Sequence, residues 1–231
     1  MAKMDAGSGL LVRLGSWVYW LAAIELCLLV SCAPMLAAVF LFGFSGGGVT
    51  VAALSSVFAG PALAAACFAW GSRRREGDET PVKYFLRGYR LSWKEMLVWQ
   101  APLAVILAAV AVVISNPDAY DGPEWVLAAA IAVCAVLVLV SFNFTGITAL
   151  FSFRLRDRAK LSLYYSFSRP FTTIGYAAVV VAAYLALTHL GVVAAALLST
   201  FTMLAFEVGR PVFGDVRERF TSEGTQDELP A

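Results

Sequence analysis

Six long apolar blocks dominate this chain and constrain its fold more than any other feature. Their approximate bounds are 17–42, 49–70, 97–114, 125–144, 172–188 and 190–208. Only 14% of the 231 residues are charged, which leaves too little polar surface for a soluble domain of this length. Since apolar runs of about 18 residues or more are typical of transmembrane helices, the sequence predicts an all-α integral membrane protein, a single six-helix bundle over residues 1–210.

The 17 Lys and Arg residues all fall on one side of such a bundle. They precede the first block, follow the second, fourth and sixth blocks, and are absent from the other three connections. Because connections rich in Lys and Arg stay in the cytoplasm, this distribution predicts a bacterial inner-membrane protein with both termini inside. Residues 211–231 are then a short cytoplasmic tail, which we predict to be disordered because its end is polar and acidic.

The connection between the second and third blocks carries an amphipathic helical pattern. After Thr80, apolar and basic residues each recur at steps of three and four. The residues that we expect to contact anionic lipid headgroups or a partner protein are Lys83, Arg87, Arg90, Lys94 and Trp93. Helices of this kind commonly lie in the membrane interface, and a docking surface for another protein is the alternative. A weaker pattern of the same type runs from Leu155 to Phe167.

Glu25 is the polar residue that most needs a partner. A carboxylate in the hydrocarbon layer costs about 2.5–3.5 kcal/mol or more, and none of the six blocks contains a Lys or Arg. The side chain must therefore carry a proton, bond to a neutral group, or face a water-filled cavity. Its candidate neighbours are Asn143, Thr145 and Gln100. Together they form either a structural hydrogen bond between helices or a pathway for a proton or ligand.

Two local features predict interruptions of the helices. Gly60 and Pro61 lie within the second block, and a proline there removes a backbone hydrogen bond and favours a kink. The stretch from Thr188 to Gly191 separates the fifth and sixth blocks with a short turn, in which glycine is a helix stop.

A search for catalytic motifs gives a negative result. The chain has one histidine, His189, and no phosphate-binding loop, dinucleotide fingerprint or nucleophile elbow. We therefore expect no enzymatic activity, no cofactor and no metal, and we assign the basic residues to membrane or protein contacts, not to nucleic acid. A homo-oligomer is compatible with the many small residues of the helices.

Three segments make the chain resemble the YesL-like family of bacterial membrane proteins. They are "LLVRLGSWVYWLAAIELCLLVSCAPM" (10–35), "AGPALAAACFAW" (59–70) and "VKYFLRGYRLSWKEMLVWQAPLAVI" (82–106). The resemblance implies an accessory or regulatory protein beside carbohydrate ABC transporters, with transporter subunits as partners. The alternative is a small transporter or channel whose polar pathway includes Glu25 and Asn143.

Overall fold

The computed structural model of this protein describes residues 5–43, 46–73, 80–117, 120 and 122–221. Within these ranges the chain forms α-helices joined by turns and short 3-10 helices, and no β-strand. The α-helices are α1 (Asp5–Ser31), α2 (Ala33–Phe42), α3 (Gly46–Ser55), α4 (Ala59–Arg73), α5 (Pro81–Ser115), α6 (Glu124–Leu150), α7 (Leu155–Ser168), α8 (Pro170–Leu190) and α9 (Leu198–Thr221).

Six helical stretches are long and apolar enough to cross a membrane, which confirms the predicted all-α six-helix fold. Their bounds are Leu14–Ser31, Gly47–Arg73, Pro81–Ser115, Glu124–Leu150, Pro170–Leu190 and Val193–Arg219. The second stretch joins α3 and α4 through a 3-10 turn, and the sixth joins a 3-10 helix to α9. The fifth ends where Gly191 adopts φ 56°, a conformation that favours glycine.

The first apolar block is divided, although the sequence suggested one span over 17–42. α1 ends at Ser31, and α2 begins at Ala33 with a proline in its first turn. Pro34 has no N–H to donate to the preceding turn and disfavours the helical conformation of the residue before it. Pro34 is the sequence signal for this break, although the apolar run continues across it.

The second span is interrupted next to the Gly60–Pro61 pair. A 3-10 turn over Ser56–Phe58 precedes α4, whose third residue is Pro61. Pro61 lacks the N–H that would bond to the carbonyl four residues earlier, at Val57, so the regular helix is weakened within this turn.

The residues after 210 are partly helical, which corrects the prediction of a disordered tail from 211. α9 continues through Pro211 to Thr221. Val212, Phe213 and Val216 are buried in the main core cluster, and this burial holds the segment in place. Residues 222–231 lie outside the described part of the chain.

The main hydrophobic core is concentrated at one end of the bundle. It combines Trp20 of α1, Trp70 of α4, Tyr84 of α5, Tyr165 of α7 and Phe213 of α9 with their neighbours. We call this the basic end, because it is formed by the end of α4, the first half of α5, α7 and the second half of α9, which carry the Lys and Arg residues of these helices.

A single 35-residue helix, α5, contains both the amphipathic segment and the third span. At 1.5 Å per residue it is about 52 Å long, whereas the hydrocarbon core of a bilayer is about 30 Å thick. The stretch from Leu97 to Ser115 has no charged residue and is about 28 Å long. The preceding half of α5 must therefore extend beyond the hydrocarbon layer. Its pattern had suggested a separate helix lying flat in the membrane interface, but this half is continuous with the third span.

Close packing against α4 holds this extending half of α5. A Cβ atom added to Gly88 would lie 2.7 Å from the Phe68 Cβ and 3.1 Å from the Ala65 Cα. Small residues on both helices thus allow their backbones to approach closely. The two helices form a hairpin that continues from the membrane into the basic end.

Candidate functional site at the basic end of the bundle

Four basic residues form an exposed row along the extending half of α5. Lys83, Arg87, Arg90 and Lys94 lie at helical spacings of four, three and four, on one side of the helix over about 16 Å. All four side chains are exposed, and we call this row the basic stripe. Lys94 places its ammonium 5.5 Å from the centroid of the Trp93 ring, a cation–π contact.

Large apolar side chains flank the basic stripe. Leu91 is 65% exposed, Leu86 is 51% exposed and Trp93 is 42% exposed. On the opposite side of the helix, Phe85 and Met96 are buried among protein side chains. The inner face of this amphipathic helix is thus covered by the protein's own core, so its outer face combines positive charge with apolar surface.

An ion pair joins α5 to α7 next to Lys94, at the membrane-proximal end of the basic stripe. The Arg158 guanidinium donates to both carboxylate oxygens of Glu95, with 3.2 Å between Nη2 and Oε1. The Arg158 side chain is 5% exposed and the Glu95 side chain is 40% exposed. Burial lowers the pKa of Arg158 from its usual value because it disfavours the charged form. The one signal for this pair in the sequence is a single Glu in the basic segment of the helix, about 100° around the helix from the basic stripe.

Arg73 packs against α1 at the basic end of the bundle. Its guanidinium lies 3.6 Å from the centroid of the Trp17 ring and 5.3 Å from that of Trp20. Trp70 stacks against Trp17 at 6.4 Å between ring centroids. Arginine is well suited to this place because its planar cation stacks on aromatic faces.

Asn143, a candidate for a polar pathway, instead joins three helices. Its side-chain N–H donates to the Ser166 Oγ at 2.9 Å, which connects α6 to α7. The carbonyl of Ser166 accepts a hydrogen bond from the Thr173 hydroxyl at 2.7 Å, which adds α8. Asn143 is fully buried, and its hydrogen bond connects α6 to the C-terminal end of α7.

Glu25 has a backbone partner that the sequence did not suggest. The N–H of Ser199 donates to the Glu25 Oε2 at 2.7 Å. Ser199 is the second residue of α9, so the carboxyl group caps a helix start that follows a 3-10 helix. A helix start has unsatisfied N–H groups and a partial positive charge, and both favour an acidic partner.

Gln100 and Thr145 line a cavity of 340 Å³, which is separate from the surroundings of Glu25 and Asn143. The Thr145 hydroxyl donates to the Ser141 carbonyl at 2.7 Å. Neither Glu25 nor Asn143 lines this cavity. The four polar residues that the sequence suggested as one pathway are therefore divided among three separate environments.

An ion pair attaches the second half of α9 to the junction of α7 and α8. Arg169, between α7 and α8, pairs with Asp215, and Arg210 pairs with Glu207 at 2.8 Å. The second pair lies within α9 and joins it to no other helix. His189 is exposed at the opposite end, and no group of three or more His, Cys, Asp or Glu within the described ranges is placed to hold a metal ion.

Comparison with known proteins adds no identification. No protein-family model, curated protein or solved structure matches this chain.

Proposed function

We propose that this polytopic membrane protein is an accessory or regulatory subunit that docks a partner on its basic stripe. The observation that carries the proposal is the continuity of α5 with the third span. Because the stripe extends beyond the hydrocarbon layer on a helix packed against α4 and held to α7 by the Glu95–Arg158 pair, it is a rigid surface in the aqueous or headgroup region.

The stripe favours a partner with an acidic surface that also contains an apolar patch. Charge complementarity accelerates association and excludes partners of like charge, and the exposed Leu86, Leu91 and Trp93 supply apolar contact area. The distribution of Lys and Arg supports a cytoplasmic position for the basic end, and we propose that the partner is cytoplasmic or has a cytoplasmic face. In line with the resemblance to the YesL-like family, the partner that we propose is a subunit of a carbohydrate ABC transporter.

A role as a transporter has less support from the geometry. Glu25 caps α9 and Asn143 binds Ser166, and although the second oxygen of Glu25 and the side-chain oxygen of Asn143 have no partner among the described residues, neither residue lines the 340 Å³ cavity. A polar pathway needs such groups to face a common water-filled space.

The experiment is affinity purification of the tagged protein from native membranes in mild detergent, followed by mass spectrometry. We expect stoichiometric transporter subunits with the wild type. The double substitution Arg87→Glu with Arg90→Glu should lower their yield by about tenfold or more, because like charges then face each other. Lys160→Glu is the matched control, since Lys160 is an exposed basic residue on α7 and lies outside the stripe.

Two results would refute the proposal. One is wild-type protein that purifies alone or only with copies of itself. The other is an equal loss of the partner in the Lys160→Glu control, which would indicate a general charge effect and no docking on the stripe. Co-purification of a membrane complex other than an ABC transporter would retain the docking role and reject the proposed partner.

A further inference from the structure

The 340 Å³ cavity lies inside the bundle, between the second, third, fourth, fifth and sixth spans. Its volume is within the range of small-molecule sites, roughly 300–1,000 Å³. It adjoins a larger groove of 840 Å³ between α5, α6 and α8, and the two share Leu107, Val138 and Val180. A molecule can therefore place one part in the cavity and extend another along the groove.

Gln100 supplies a polar group without a hydrogen-bonding partner among the described residues. No described residue forms a hydrogen bond with its carboxamide, although the side chain lines the cavity. Its stem packs on Gly60, where an added Cβ would lie 3.2 Å from the Gln100 Cβ and Cγ. This contact holds the side chain in place. At hydrocarbon depth an unpaired amide costs several kcal/mol, so this group requires a hydrogen-bonding partner.

Tyr176 contributes its ring to the cavity wall. The residue is 1% exposed, and its ring stacks on Phe142 at 5.1 Å between centroids. Its hydroxyl is covered by protein and lies against Gly209 of α9, outside the cavity lining, so a ligand in the cavity does not reach it. The hydroxyls of Ser141 and Thr145 are used in bonds to backbone carbonyls, which leaves Gln100 as the polar contact in this wall.

The charge of the residues that line the cavity and the groove determines which kind of ligand can bind there. None of the described residues that line the cavity or the groove is charged. An anionic head, such as a phosphate or a fatty-acid carboxylate, would lose its hydration here without gaining a cation. An uncharged head with hydroxyl or carbonyl groups matches the Gln100 carboxamide, which both donates and accepts hydrogen bonds.

We infer that this cavity binds an uncharged amphiphile with one hydrocarbon chain, whose head bonds to Gln100 and whose chain lies in the groove. The inference is independent of the docking role of the basic stripe. The other possible occupants are water beside Gln100 and the acyl chains of bulk phospholipid.

The test uses purified protein in phosphatidylcholine nanodiscs. One probe is a monoacylglycerol with a photoreactive diazirine in its chain, and the other is the fatty acid of the same chain at pH 8. After irradiation, mass spectrometry locates the labelled peptides. We expect the monoacylglycerol to label segments that contain Leu107 or Val180, to be displaced by unlabelled monoacylglycerol, and to exceed the fatty acid by about tenfold.

Two variants and a control locate the site. Gln100→Leu should lower labelling by about tenfold through loss of the head contact. Ala183→Phe should abolish labelling because it fills the cavity, whereas Ala182→Phe, on an exposed neighbour in the same helix, should not. Size-exclusion profiles establish that each variant is folded.

Equal labelling by both probes, or labelling that unlabelled monoacylglycerol does not displace, would overturn the inference and show that only bulk lipid chains enter the groove. The displacement experiment needs only the wild-type protein, so the inference remains falsifiable if a variant does not fold. Unchanged labelling in a folded Gln100→Leu variant would also overturn it.

Discussion

Glu25 places a carboxyl oxygen at the start of α9, where the sixth span changes from a 3-10 helix to an α-helix. The residue that seemed most functional in the sequence therefore supports a helix junction inside the membrane. Its partner is a backbone N–H in a helix 174 positions away along the chain, and no pattern of side chains reveals such a bond.

Substitution of Glu25 tests this role. Glu25→Gln keeps an oxygen that accepts from Ser199, whereas Glu25→Ala removes it and should lower the free energy of unfolding by about 0.5–2 kcal/mol, as for loss of a helix cap. Thermal unfolding in detergent, followed by size-exclusion chromatography, should rank wild type above Gln and Gln above Ala. Identical midpoints for the Gln and Ala variants would rule out the capping bond.

The Glu95–Arg158 pair makes a second prediction at this scale. Glu95→Ala leaves a buried guanidinium without its partner, which should cost about 1–3 kcal/mol of stability. Glu207→Ala breaks a more exposed pair and should cost only about 0–1 kcal/mol. Parallel thermal unfolding of the two variants measures the difference, and an equal loss of stability in both would contradict the structural role of Arg158.

At the scale of elements, the hairpin of α4 and α5 joins the membrane to the basic end. Gly88 lies where the two helices are closest, so packing and helix propensity oppose each other at this position. Alanine is favoured over glycine within a helix by about 1 kcal/mol, but its Cβ would meet both Phe68 and the backbone of Ala65.

Packing should prevail at Gly88. We expect Gly88→Ala to lower the unfolding temperature even though it improves helix propensity. Gly15→Ala is the matched control, because a Cβ added to Gly15 in α1 meets nothing within 4 Å, and it should leave the temperature unchanged or raise it. A stabilised Gly88→Ala variant would show that the hairpin packs less tightly than described.

The continuity of α5 could have been predicted from the sequence. Between Gly88 and Pro102 no residue interrupts a helix, and Thr80 with Pro81 marks only its start. The change from an amphipathic to an apolar pattern suggested two elements, but this change reflects surroundings, from protein and water to lipid, and not a break in the helix.

At the scale of the whole molecule, the six spans could be predicted because charge is costly in hydrocarbon, and the basic end could be predicted because Lys and Arg concentrate in the connections on one side of a membrane. Pro34 marks the division of the first span in the sequence, whereas the helical end of α9 could not be predicted because it depends on burial of Val212 and Val216. Glu25 was correctly recognised as needing a partner, but the identity of that partner depends on helix rotation, which an apolar block does not encode.

Topology provides a test at this scale. In a variant without its native cysteines, Asn116→Cys at the far end should react with a membrane-impermeant maleimide in intact cells. Lys160→Cys at the basic end should react only after permeabilisation. The opposite pattern would place the basic stripe outside the cell and remove the cytoplasmic partner from the account.

Site-specific photocrosslinking in living cells tests the docking surface most directly. A photoreactive amino acid replaces Leu91, beside the basic stripe, or Val105, an exposed residue in the apolar part of the same helix. We expect a protein adduct from position 91, with an ABC transporter subunit identified in it, and none from position 105. Only lipid adducts at position 91 would contradict the central claim and show that the stripe serves the membrane surface alone.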